Sequence, residues 1–171
     1  LVHDAYALRK KAQEIHKEFR DDVLVEEYID GREFFVSVLG NRIPKTLDII
    51  ELDFSHLPPG RPRIYTHKAK IERGSAEYAL IQPRIAEGLE PALATKIRDL
   101  GLKVCSALGA RDYARVDIRL DKDNKLFVLE ANFNPYLAKG SETAIAAEST
   151  SISYSLLINT IIELALARAK S

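Results

Sequence analysis

The stretch YARVDIRL-DKDN-KLFVLEAN, residues 113–132, constrains the fold of this chain more than any other. Two alternating runs flank a short polar turn, which is the pattern of an antiparallel hairpin. With the turn centred on Lys122 to Lys125, Val116 faces Ala131, Ile118 faces Leu129 and Leu120 faces Phe127, so one face is wholly apolar. The other face sets Arg115 beside Asn132 and Asp117 beside Glu130. A slip of one residue would bury these charges and expose the apolar set, which pins the register up to steps of two.

Two carboxylates directly across a hairpin repel each other unless something positive lies between them. Asp117, Glu130 and Asn132 form an all-oxygen donor set, suited to Mg²⁺ or Mn²⁺ rather than zinc. Magnesium is commonly held by one or two carboxylates and completed by water and substrate phosphates, so a set this sparse implies a phosphorylated ligand. Arg115, on the same face, is placed to hold a phosphate oxygen or to stabilise charge developing in a transition state. The competing reading is an exposed sheet face with solvated acids. Arg and Asn on the same face, and a strand that ends Asn-Phe-Asn-Pro, favour the metal. A calcium loop in DKDNKLFVLEAN fails, because its sixth position is Leu126 and its twelfth Asn132.

The rest of the chain supplies a setting for the hairpin. Residues 4–20 carry Leu8, Ala12, Ile15 and Phe19 at helical spacing behind a capping Asp4. Residues 23–29, 34–40 and 43–52 read as strands, 55–63 as a loop rich in Pro and Gly, and 68–78 as irregular. A long helix spans 90–108, with Pro91 in its first turn and Gly109 ending it, and a final helix lies near 152–169 behind a looser Gly/Ser stretch. The expected class is α+β, a mostly antiparallel sheet flanked by helices. Lysine plus arginine and aspartate plus glutamate stand at 25 each, which argues against electrostatic capture of nucleic acid or an anionic membrane. A single cysteine, Cys105, excludes an internal disulfide and fits a reducing, cytoplasmic setting. No methionine occurs and the chain opens Leu1-Val2-His3, so sequence upstream is expected.

The hairpin resembles the metal-binding hairpin of ATP-grasp enzymes, most closely the D-alanine-D-alanine ligase branch. VLVEEYIDGREFFVSVLGN, residues 23–41, resembles that family's adenine-binding hinge followed by the first strand of its C-terminal lobe. The resemblance implies residues 1–29 as the tail of a small ATP-binding lobe and 30–171 as the large C-terminal lobe. It implies ATP and two Mg²⁺ (or Mn²⁺) as cofactors, and a reaction in which a small-molecule carboxylate becomes an acylphosphate that an amine attacks. Carried over by position, Glu26, Tyr28 and Ile29 meet adenine, Glu33 the ribose hydroxyls and Lys70 the phosphates. Asp117, Glu130 and Asn132 bind the metal, Arg115 faces the acylphosphate, and Ser141 lies near the second substrate's carboxylate. The expected partners are these small molecules, with no nucleic acid or membrane, and the expected assembly is a homodimer.

One departure stands out. Tyr136 occupies a place where relatives that join D-alanine usually have glycine, which counts against dipeptide ligation in particular. The family's glycine-rich phosphate-covering loop has no counterpart in these residues, so the chain alone is expected not to complete a turnover. A non-catalytic ATP-binding or regulatory module of the same fold is the alternative, and a structural domain with a solvated polar face a third.

Overall fold

The computed structural model describes residues 1–72 and 74–170, and within these the side chains of all but residues 67, 71, 76 and 77. Helix α1 (Ala5–Phe19) starts where Asp4 accepts a hydrogen bond from the Ala7 N–H, yet none of its residues is buried. Strand β1 (Arg32–Leu39) pairs antiparallel with β2 (Lys45–Thr46), β3 (Ile50–Asp53) and β5 (Tyr113–Leu120). Two one-turn helices, α2 (His67–Ile71) and α3 (Ala76–Leu80), precede β4 (Gln82–Ile85) and the long helix α4 (Pro91–Ala107). Strand β6 (Leu126–Asn132) closes the hairpin, and α5 (Glu142–Ser149) and α6 (Tyr154–Ala169) end the chain. The sheet runs β4-β3-β1-β5-β6, every pairing antiparallel, with β2 beside β1.

Both central strands are buried on two sides, and their alternation sorts two layers. Phe34, Val36, Val38, Ala114, Val116, Ile118 and Leu120 face α4, where Ile97 and Cys105 complete a dry core. Phe35 packs on the other side with Ile50, Leu52 and the small residues Ala146 and Ala147 of α5. Glu33, Ser37, Arg115, Asp117 and Arg119 share the parity of Phe35 and are also buried. A buried polar group must find a partner. Ser37 meets the Thr143 hydroxyl at 2.9 Å, and the rest form the site below.

Several expectations from the sequence are corrected. Residues 23–29 form no strand: the segment has no regular secondary structure, Leu24 and Val25 are exposed, and no strand of the sheet pairs with it. A strand exists only through its ladder, so alternation alone does not make one. The run 43–52 breaks into β2 and β3. From Thr46 to Ile50 is four steps against three from Val38 to Phe35, and the surplus residue interrupts the ladder. Within 68–78, Thr66 and Ser75 cap α2 and α3, turns too short to show periodicity. The Gly/Ser stretch holds α5, whose small residues are mostly buried and therefore lack an amphipathic stripe. Strand β4 contains Pro83, tolerated because β4 lies at the sheet edge.

A polar clamp ties the end of α6 to the start of β5. Asp112 adopts φ 63°, accepts from Arg168 at 2.8 Å and from Asn41 at 2.9 Å. The Arg168 guanidinium holds the Asp112 carboxyl below the usual carboxylate range. A lowered folded pKa contributes stability above the unfolded value and loses it as pH falls through the folded one. The Asp112→Asn variant keeps a residue that tolerates the left-handed backbone. Its stability, followed by chemical denaturation from pH 7 to pH 3, should therefore fall less steeply below about pH 4 than that of the parent chain.

Candidate active site

The hairpin places its polar pairs as the alternation requires. Arg115 lies opposite Asn132 and Asp117 opposite Glu130. Below them the ladder shifts by one residue, so Ile118 pairs with Val128 and Leu120 with Leu126, not with Leu129 and Phe127 as expected. The bulge exchanges one apolar partner of Leu120 for another while leaving the upper pairs in register, and bulges are common beside functional sites.

Arg115 is the centre of the arrangement. Its Nε and Nη2 donate to the two Asp117 oxygens at 2.7 and 2.9 Å, the geometry of a forked ion pair. Nη2 lies 3.8 Å from Glu130, and Nη1 donates to Glu142 at 3.4 Å. The guanidinium stacks on Phe35, 4.3 Å from the ring centroid. Three carboxylates thus share one cation. Burial pushes the Asp117 carboxyl up to about 7 against the pull of Arg115, with Glu130 raising it further. The acids remain short of positive charge.

The group opens onto a cleft of about 640 Å³ walled by Lys70, Arg115, Glu130, Asn132, Ser141 and Glu142. Lys70 stands 5.4 Å from the ring of Tyr65, whose hydroxyl is pushed up to about 12 by burial. Ser141 caps α5 by accepting from the Ala144 N–H, which leaves its hydroxyl proton for an acceptor in the cleft. Tyr136 is exposed on the rim and follows a fully buried Pro135.

The nucleotide residues expected from the sequence do not all gather there. Glu26 is exposed on the irregular segment before β1. Tyr28, Ile29 and Glu33 converge instead on Arg119, which the sequence reading missed. Arg119 donates to the Ile29 carbonyl at 2.8 Å, to Glu33 at 2.7 Å and to the Arg63 carbonyl, and lies under the Tyr28 ring. Both bonds to Glu33 fall on Oε2, so Oε1 is left to accept from a ligand hydroxyl. Arg119 could have been suspected from its place two residues beyond Asp117 on the same face; Glu142 had no such signal.

Among the described residues no three His, Cys, Asp or Glu side chains converge as a metal cage. The set here is two carboxylates and an amide. A carboxylate offers about four lone-pair positions, and the Arg115 fork occupies two of those on Asp117. Asp117, Glu130 and Asn132 therefore fit a hard ion that takes its remaining oxygens from water and phosphate.

A family model described as D-ala D-ala ligase C-terminus matches residues 2–163. This chain belongs to that family. A D-alanine–D-alanine ligase of Carboxydothermus hydrogenoformans is 38% identical over 158 residues, covering 92% of this chain and 46% of the relative. An uncharacterised Sinorhizobium fredii protein, y4sG, is 38% identical over 168 residues, covering 96% and 47%. The structure of the Bacillus anthracis ligase complexed with ATP superposes with a TM-score of 0.75 at 26% identity, over 99% of this chain and 49% of that one. The Coxiella burnetii ligase, at 24% identity and a TM-score of 0.76, shares the fold. The α+β architecture is that of the ligases' C-terminal ATP-grasp domain. The chain spans about half the length of the relatives it matches. No single helix among the described residues is long and apolar enough to cross a membrane.

Proposed function

We propose that this chain is the ATP- and Mg²⁺-binding lobe of a cytoplasmic ATP-dependent carboxylate–amine ligase that acts through an acylphosphate. The observation that carries the reading is the register pairing of Asp117 with Glu130 around the Arg115 guanidinium, of which Arg115 and Glu130 wall the cleft while Asp117 lies buried behind them. Asp117, Glu130 and Asn132 would hold Mg²⁺ or Mn²⁺, which neutralises phosphate charge and holds a nucleotide's phosphates at the strand end. Tyr28, Ile29 and Glu33, tied by Arg119, would form the adenine and ribose side, and Glu26 would join only where the hinge segment is covered.

Each side chain then has a task that its chemistry suits. Lys70 offers a point charge to phosphate oxygens from across the cleft. Arg115 presents donors to a phosphoryl group passing to the carboxylate substrate, where charge spreads over the equatorial oxygens. An amine then attacks the acylphosphate carbon and phosphate leaves. The Ser141 hydroxyl would orient the amine substrate by donating to its acceptor group. Residues 1–29 belong, on this reading, to a second lobe, which accounts for an α1 with no buried residue.

Titration calorimetry tests the site. Mg-ATP should bind the chain, and affinity should fall by at least about ten-fold in the Asp117→Ala, Glu130→Ala double variant, the loss of more than one charge-assisted contact. Equal affinities for the double variant and its parent would overturn the assignment.

A further inference from the structure

We propose that Glu142 is a positioning residue that holds the Arg115 guanidinium in the cleft, an inference that rests on the reading of Arg115 as the group facing the phosphoryl. Arg115 has five N–H donors. Asp117 takes one on Nε and one on Nη2, and Glu130 lies beside Nη2 at 3.8 Å. Glu142 is the carboxylate on the remaining nitrogen, at 3.4 Å from Nη1. The two sets of partners come from different parts of the fold. Asp117 and Glu130 belong to the hairpin, whereas Glu142 opens α5, a helix anchored by its own buried residues and by the Thr143 contact to Ser37.

This division matters because the hairpin acids are the ones suited to a cation. A carboxylate drawn toward a divalent ion gives less negative charge to its arginine. Glu142 lies on the opposite nitrogen and is the partner that persists. Its side chain is only 14% exposed, so the pair is poorly screened by water, and Phe35 lies 4.3 Å from the guanidinium carbon on another side. Glu142 therefore sets the angle at which the free Nη1 donor meets a ligand. Its role is through Arg115, and no contact of its own with the reacting atoms is required.

Guanidinium rotation in the 171-residue chain, read by nuclear magnetic resonance from the Nε and Nη signals of Arg115, tests this. Arg119, held by Glu33, serves as the internal reference. Glu142→Leu should speed rotation of the Arg115 group by about ten-fold, the effect of losing one charge-assisted hydrogen bond. The isosteric Glu142→Gln should give a smaller increase, and Glu142→Asp should lie closest to the parent. Arg119 should be unchanged throughout. Rotation of Arg115 within about two-fold of the parent in Glu142→Leu would overturn the proposal. So would an equal acceleration of Arg119, which would mark general loosening. The series is run in the free chain and again with Mg-ATP. Should Mg-ATP leave every cleft signal of the parent chain unmoved, the ligase reading fails, while the free-chain comparison still decides the role of Glu142.

Discussion

Arg115→Ala should destabilise the chain by about 3–5 kcal/mol, the usual cost of removing one partner from a buried ion pair. Asp117 is 3% exposed and Arg115 7%, so neither can recover its hydration where it stands. Without the guanidinium, Asp117, Glu130 and Glu142 surround an uncompensated space, and Phe35 loses the cation stacked on it. The Arg115→Met variant separates charge from volume: it fills much of the stem's space and should lose nearly as much. Adding Asp117→Asn to Arg115→Met should recover part of the loss, because the orphaned carboxylate is then gone. The penalty should also depend on pH. A carboxyl already raised to about 7 is pushed higher still without its arginine, so it is neutral at pH 5, and ionising it as the pH rises costs more than in the parent chain. Urea denaturation of the variants at both pH values should show the larger loss at the higher one. A loss below about 1 kcal/mol at both would mean that the pair behaves as a solvated surface contact.

Gly31→Ala should cost about 2–6 kcal/mol, combining about 1–3 for an unfavourable backbone region with about 1–3 for overpacking. Gly31 has φ 151°, and a Cβ built there would lie 1.9 Å from the Leu120 carbonyl oxygen. That oxygen belongs to backbone and cannot swing aside, so the chains themselves must part. The pair next to it, Arg32 with Leu120, begins the ladder between β1 and β5. Separation there would disturb Glu33 and Arg119, the next pair along the ladder, and with them the Tyr28 side of the site. Gly60→Ala supplies the control: φ is also positive, at 80°, but nothing lies within 4 Å of the added carbon. It should cost only the backbone share. Thermal melts that show the same loss for both glycines would remove the steric part of the argument.

The alternation of residues 113–132 determined by itself that Arg115, Asp117, Glu130 and Asn132 share a face, because a period of two leaves one way to hide the apolar half. The same local logic placed α1 behind its capping Asp4 and α4 behind Pro91, and located α6 at the end of the chain. The β-bulge below the site was invisible, since an extra residue in one strand changes no local pattern and shows only against its partner. The segment 23–29 looked like a strand for the converse reason: its residues favour one, and the ladder is missing. Only the tertiary structure brought Glu142 against Arg115 across 27 positions, and Glu33 against Arg119 across 86. Those pairings depend on how α5 and two central strands pack. Burial then makes them strong by removing the water that would otherwise satisfy each charge separately.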